Sequence, residues 1–250
     1  MISYNSTSNQ IIKFLQNSHS NLFNKEQINF IDIGSVGDLP SPWNNNLSAI
    51  NKILKFEPRG KNTISKNKKE IHIDKALWSK VCTKTFYEYQ GRSGSGSSFF
   101  KQNYKYVKEN EEWLQKRGDK ELAKSWYKRS KLLKSYTHKC TTLDQALSRL
   151  KDKYHFLKID AQGAEFQILQ GSEIFLRESC LGLHLELYTI PLYKNMKLMG
   201  EVIQYLNHFG FKLIKVFPAQ GSFASQNDSV FIKDINSKIV DKIKKVYKIQ

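Results

Sequence analysis

At 250 residues, with 40% apolar and 12% aromatic content, the chain is long enough to enclose a full core and too apolar for wholesale disorder. No apolar run reaches the ~18 residues of a membrane-spanning helix, and Cys82, Cys140 and Cys180 stand too far apart for metal spacing, which predicts unpaired thiols in a reducing compartment, by default the cytoplasm. The formal charge of +17 admits a nucleic-acid partner but argues weakly for one, because lysine supplies most of it and arginine, the residue of bidentate contacts, is scarce.

Met1 to Asn9 is polar and lacks the basic and apolar regions of a secretory signal. Asn9 to Ser18 carries Ile11, Ile12, Phe14 and Leu15 at amphipathic spacing, which predicts an N-terminal helix within 1–27. The first strand is Ile28–Ile33, in the block Phe30-Ile31-Asp32-Ile33-Gly34-Ser35-Val36-Gly37. It ends on an acid and a Gly-x-x-Gly turn, where glycine lets the backbone approach a ligand closely. The spacing differs from the Gly-x-Gly-x-x-Gly that cradles a pyrophosphate, so a dinucleotide is disfavoured. A second strand, Ile53–Glu57, ends in Glu57-Pro58 roughly 20 residues past that turn, where a carboxylate accepts hydrogen bonds from ribose hydroxyls. Glu70–Ile73 is the third strand, and Cys82 to Tyr89 alternates weakly, as an extra strand or hairpin.

Gly91 to Ser98 reads either as a linker or as a ligand-facing loop with free backbone N–H groups. From Asn103 to Lys134, Tyr104, Val107, Trp113, Leu114, Leu122, Trp126, Leu132 and Leu133 are spaced for two helices separated at Gly118-Asp119. This helical insertion, placed at 99–136, is basic in its second half through Lys124, Lys128, Arg129, Lys131 and Lys134. It is either a solvated elaboration or a basic lid over an acidic or phosphate-bearing substrate, and His138 beside it is a weak base candidate. Thr142 with Gln145 then predicts a capped helix start.

The apolar run Tyr154 to Leu157 leads into Lys158-Ile159-Asp160-Ala161-Gln162-Gly163-Ala164-Glu165. It reads as a buried parallel strand delivering a carboxylate to its carboxyl end, where open α/β sheets bind ligands. Asp160 either serves the site or caps the helix that begins near Gln162. A strand at Leu181–Leu187 carries His184 at its middle, read as buried, and Glu186 at its end. A helix from Met196 to His208 and strands at Lys212–Phe217 and Ser229–Ile232 complete the set. The basic tail, with Ile239, Ile243 and Val246, predicts a surface helix within 234–250. Strands alternating with helices imply a single α/β domain over 1–250, with a mostly parallel sheet and helices on both faces. Three acidic strand ends in order, with a Gly turn after the first, describe an adenosyl pocket.

The blocks FIDIGSVG, KFEPRG and FLKIDAQGAEFQILQG resemble the S-adenosylmethionine-dependent methyltransferases of the FkbM type. So do Leu185-Glu186-Leu187-Tyr188, Pro191-Leu192-Tyr193-Lys194, Phe209-Gly210-Phe211, Thr142-Leu143-Asp144 and Asn227-Asp228-Ser229-Val230-Phe231-Ile232. The resemblance runs from about residue 28 to about residue 233. Two departures stand out: Gln162 where the family often has Glu, and Asp38-Leu39-Pro40-Ser41-Pro42-Trp43 where it has small residues and a helix start.

The resemblance implies a Rossmann-like class I methyltransferase fold and S-adenosylmethionine as cofactor. Asp32, Gly34 and Ser35 would hold its amino-acid end, Glu57 the ribose hydroxyls, and Asp74 and Ala76 would border the adenine, with Gly37, Pro58 and Asp160 completing the cofactor-binding set. Asp160 would lie nearest the transferred methyl group, and Glu186 would face the same cleft as the second catalytic residue. Ser98 and Glu165 would touch the substrate. Two carboxylates are too few to specify a metal, so none is expected. The implied reaction is O-methylation of a sugar, glycan or lipid-linked small acceptor. The alternatives are a ribose-methylating RNA enzyme and a non-catalytic binding module. RNA chemistry would need a Lys-Asp-Lys-Glu set, and Glu186 stands where its second Lys belongs.

Overall fold

The structure is a computed structural model that describes residues 27–34, 37–60, 63–64, 69–91 and 95–249. Ser35 and the predicted N-terminal helix lie outside the described residues. The main sheet has eight strands: β1 (Ile28–Ile33), β2 (Ile50–Phe56), β3 (Thr63–Ile64), β4 (Glu70–Ile73), β8 (Phe156–Ile159), β9 (Gly182–Tyr188), β10 (Phe211–Val216) and β11 (Gln226–Lys233). Their order is β10-β11-β9-β8-β1-β2-β4-β3. β1 pairs in parallel with β2 and β8, which pair in parallel with β4 and β9 respectively. β11 lies antiparallel between β9 and β10, and β3 is an antiparallel edge. This is the Rossmann-like order expected, with the strand sequence reversing at β1.

Every residue of β1 is buried, because both faces of the sheet are covered. Alternation divides them: Ile31 and Ile33 enter one core, Ile28 and Phe30 the other. The first core is closed by α5 (Leu143–Leu147), α6 (Glu165–Gln170), α7 (Glu173–Glu178) and α8 (Met199–Asn207). The second is closed by α9 (Lys238–Val246), which buries Val240, Ile243 and Val246. The helix expected in the tail is present, and its buried face makes it a layer of the fold. Tyr247, just past it, is fully buried and accepts a hydrogen bond from Trp43 Nε1 at 2.7 Å.

Between β1 and β2 the described chain forms two 3-10 turns, Trp43–Asn45 and Leu47–Ala49, and no α-helix. Pro40 and Pro42 deny a helix its backbone donors there. Trp43 fills the place instead, its ring 4.7 Å from Phe156 and 5.1 Å from Phe30.

A second sheet, ordered β5-β7-β6, joins β5 (Ala76–Leu77), β6 (Cys82–Tyr89) and β7 (Leu132–Thr141). Four short helices lie between its long strands: α1 (Tyr104–Glu109), α2 (Glu111–Leu114), α3 (Lys120–Lys124) and α4 (Trp126–Arg129). The break falls at Gly118, whose φ is +67°, and Asp119 caps α3 by accepting the Leu122 N–H. Leu132 and Leu133 depart from the expected helix. They open β7 and are 48% and 54% exposed, because pairing with β6 outweighs the helical spacing of two adjacent leucines. The insertion has a core of its own, in which Val107, Leu114 and Trp126 pack on Tyr188, Tyr193 and Phe223.

Candidate active site at the carboxyl ends of the parallel strands

The Gly34 backbone joins the first strand end to its neighbours. Its N–H donates to Phe56 O at 3.0 Å, and the Asp160 N–H donates to Ile33 O at 3.0 Å. Gly34 has φ +75°, and a Cβ on it would lie 1.8 Å from the Asp160 carbonyl oxygen. Only glycine fits that crossing.

Asp32 and Lys158 face each other across the β1–β8 ladder. The Lys158 ammonium is 3.3 Å from Asp32 Oδ1 and 3.9 Å from Asp160 Oδ2. Burial alone would lower the Lys158 pKa, but Asp32 and Asp160 outweigh it and hold the pKa above its ordinary value. Asp32 is 1% exposed, and among the described residues its Oδ1 has no hydrogen-bond partner.

These residues form one end of a cavity of about 530 Å³. Asp32, Gly34, Glu57, Pro58, Ala76, Asp160 and Glu186 all line it. The Glu57 carboxylate accepts from the Arg59 N–H at 3.0 Å and from Arg59 Nε at 2.9 Å. Leu77, Phe86 and Phe99 supply an apolar wall, partly from the second sheet.

Four expected residues lie off the wall. The Gly37 carbonyl accepts from Lys55 Nζ at 2.9 Å. Asp74 is half-buried, while its neighbours Lys75 and Ala76 reach the cavity. Ser98 donates to Gln162 O at 2.7 Å, so it fastens the loop whose Ser95, Gly96 and Ser97 face the cavity. Glu165 is buried, and its Oε1 accepts the N–H groups of Ala161 at 2.8 Å and Gly163 at 3.2 Å. Both supposed substrate contacts thus build the turn from inside. His138 sits on β7 among Phe86, Phe99 and Tyr136, with its pKa lowered by burial, and does not line the cavity.

The α6 helix begins at Glu165 with Ala164 as its N-cap, so Asp160 does not cap it. Asp160 Oδ1 instead accepts from Gln162 Nε2 at 2.9 Å. The same nitrogen donates to Glu186 Oε2 at 2.7 Å, while Gln162 Oε1 accepts from the hydroxyls of Tyr188 at 2.9 Å and Tyr193 at 3.1 Å. Two carboxylates on one side and two hydroxyls on the other orient the amide uniquely. A carboxylate at 162 would face Asp160 and Glu186 and be repelled, which explains the glutamine. Glu186 also accepts from Gln226 Nε2 at 2.8 Å. Burial, then the charge of Asp160, holds the Glu186 carboxyl well above the usual carboxylate range. His184 is buried on the same strand, 3.2 Å from Asp228 and 2.8 Å from the Tyr247 hydroxyl, and its stacked neighbour is Phe217.

Residues missed by sequence reading fall into two kinds. Lys158 was accessible to it, since positions 158 and 160 share one face of a strand. Gln162, Tyr193 and Gln226 meet only through folding, and no spacing announces them. Together with Leu122, Trp126 and Arg129 they line a second cavity of about 330 Å³. It shares Ser95, Gly96, Gln162, Glu186 and Gln220 with the first. Among the described residues, no group of three or more His, Cys, Asp or Glu could hold a metal ion.

Glu165 supplies a pH test. Burial raises its pKa from 4.5 to about 7, against the pull of the backbone N–H groups of Glu165 itself, Ala161 and Gly163. The folded state therefore holds a proton that the unfolded state has released, so this contribution is present below pH 4.5 and lost as pH rises to about 7. Glu165→Gln keeps the acceptor oxygen and cannot ionise. Denaturant melts at stepped pH should show wild-type stability falling across that window, by at most ~3 kcal/mol from this residue, and a flatter profile in the variant. Parallel profiles would show that Glu165 ionises normally.

The profile of the methyltransferase FkbM domain matches residues 44–213. No curated protein is significantly similar in sequence. Among solved structures, the chain is similar to methyltransferase FkbM from Methylobacillus flagellatus KT, with a TM-score of 0.41 and 8% identity over 83% of this chain and 44% of that one. It is also similar to magnesium protoporphyrin IX methyltransferase (ChlM) from Synechocystis PCC 6803, solved with bound SAM, with a TM-score of 0.37 and 14% identity over 91% of this chain and 78% of that one. The chain thus spans less than half the length of the first of these structures, at 44%. No described helix is long and apolar enough to cross a membrane.

Proposed function

The chain belongs to the FkbM family of methyltransferases, and from that premise we propose that it methylates a hydroxyl of a sugar, glycan or lipid-linked small acceptor. The cofactor is S-adenosylmethionine, which when bound supplies an electrophilic methyl group on a sulfonium. The described residues fit it. Asp32 offers a buried carboxylate, ion-paired with Lys158 and lining the cavity, to an ammonium group, Gly34 leaves the backbone bare, and Glu57 stands at the end of β2 for ribose hydroxyls. Leu77, Phe86 and Phe99 offer the adenine an apolar face.

The observation that carries the oxygen chemistry is the Asp160–Glu186 pair: both line the first cavity, and Glu186 lines the second as well. Burial and the neighbouring charge of Asp160 favour the protonated form of Glu186, and Gln162 Nε2 bridges the two side chains. One carboxylate is then left to accept the acceptor's hydroxyl proton as its oxygen is methylated. Lys158 holds Asp160 and Asp32 at the floor, and Gln162 fixes the orientation of both acids. Such positioning, with a base aimed at the nucleophile, lowers the barrier without a covalent intermediate.

Calorimetric titration with S-adenosylmethionine tests the cofactor site. Glu57→Ala removes a charged acceptor worth ~1.5–3 kcal/mol, so affinity should fall roughly 10- to 150-fold. Wild-type protein that binds no cofactor, or a variant that binds equally well, overturns the assignment. Transfer of labelled methyl groups into a fractionated lysate tests the acceptor class. Label confined to protein or RNA would reject the carbohydrate reading.

A further inference from the structure

Arg129 is the one arginine of the insertion that lines the second cavity. Its guanidinium is tied along one edge: Nε donates to Ser125 Oγ at 3.1 Å, and Nη2 to Leu122 O at 2.6 Å and Ser222 Oγ at 2.7 Å. All three acceptors are neutral. Among the described residues Arg129 has no acidic partner and Nη1 has no hydrogen bond, so a half-buried positive charge faces the cavity uncompensated. Burial lowers its pKa accordingly. Lys128 and Lys131, beside it in sequence, are exposed.

A second observation lies on the same wall. Gln102 is 6% exposed, and its Oε1 is buried without a hydrogen-bond partner among the described residues. A buried orphan acceptor costs stability unless a donor arrives to meet it. Trp126, three residues before Arg129, lines the same cavity. The loop that presents Ser222 is held in an unusual conformation, with φ +60° at Phe223 and +47° at Ala224. Arg117 secures it by donating to the carbonyls of both residues. Backbone held against its preference clusters where a ligand is bound.

We propose that this second cavity is the acceptor subsite and that it takes an anionic sugar, one bearing a carboxylate or a phosphate. The anion meets Arg129 Nη1, a sugar hydroxyl donates to Gln102 Oε1, and the pyranose ring lies against Trp126. The cavity, about 330 Å³, is within the range of ligand pockets and suits one or two sugar rings. Its other end is the wall shared with the cofactor cavity, where Gln162 and Glu186 stand. The direction of methyl transfer across that wall rests on the function proposed above.

The test measures binding of three compounds to the full chain saturated with S-adenosylhomocysteine, by ligand-observed NMR titration. They are methyl glucuronide, glucose 1-phosphate and the neutral methyl glucoside. One or both anionic compounds should bind at least 10-fold more tightly than the neutral one, since a hydrogen bond to a charged group discriminates by about 10- to 150-fold. Which of them binds better identifies carboxylate or phosphate as the anion. Arg129→Gln should abolish the preference while Lys128→Gln keeps it. Should Arg129→Gln fail to fold, the salt dependence of wild-type binding decides: affinity for the anionic compounds should fall with added salt and that for the neutral one should not. Equal affinities, a preference that survives Arg129→Gln, or no binding by any compound overturns the subsite. Failure of S-adenosylhomocysteine itself to bind overturns the parent reading instead.

Discussion

Asp160→Asn should lower methyl transfer by roughly 10²- to 10⁴-fold, the usual worth of a positioned acid or base. Cofactor affinity and thermal midpoint should change little. The replacement keeps the side-chain size, and its amide oxygen can still accept from Gln162 Nε2, which donates to Asp160 at 2.9 Å. What disappears is the negative charge that takes the acceptor's proton and balances Lys158, 3.9 Å away. The effect should lie in kcat and not in cofactor binding, because Asp32 and Glu57 are untouched. Single-turnover rates with labelled cofactor measure it. Full turnover in the variant would reduce Asp160 to a structural anchor for Gln162 and Lys158.

Gly34→Ala should cost more than any other single methyl group at the site, on the order of 3–5 kcal/mol. The left-handed φ of +75° alone penalises alanine by ~1–2 kcal/mol. The larger part is steric. A Cβ 1.8 Å from the Asp160 carbonyl oxygen forces the ends of β1 and β8 apart. That displacement breaks the Asp160 N–H bond to Ile33 and moves both carboxylates of the floor. Urea melts should show the midpoint falling, and calorimetry should show cofactor binding lost even where the fold survives. A variant with wild-type midpoint and affinity would mean that the two strand ends do not cross as described.

Much of the architecture was legible before folding was considered. The runs Ile28–Ile33 and Glu70–Ile73 coincide with strands end to end, and Cys82 to Tyr89 with β6, because strand residues advertise themselves locally. The acids Asp32, Glu57 and Asp160 could be placed for the same reason: each stands at or just past the end of a buried run, and a parallel sheet gathers such ends on one edge. Helical spacing also placed the helix of the tail, Lys238–Val246, but it failed at Leu132 and Leu133, which carry a helical period yet pair as strand with β6. There the partner that decides the matter lies far along the chain.

Short-range periodicity and backbone sterics account for the alternation of strands and helices, the acidic strand ends and the glycine turn. Only the tertiary structure decided which of the marked residues face the cavity. Ser98 and Glu165 turned inward to hold the Gln162 turn, while the Gln162 side chain became the bridge between Asp160 and Glu186. It also decided that Arg129, one cation among many in the insertion, enters a cavity without a counter-ion while Lys128 and Lys131 remain in water. Hydrogen-bond satisfaction and charge compensation are sums over neighbours from distant segments, and those neighbours exist only once the chain has closed.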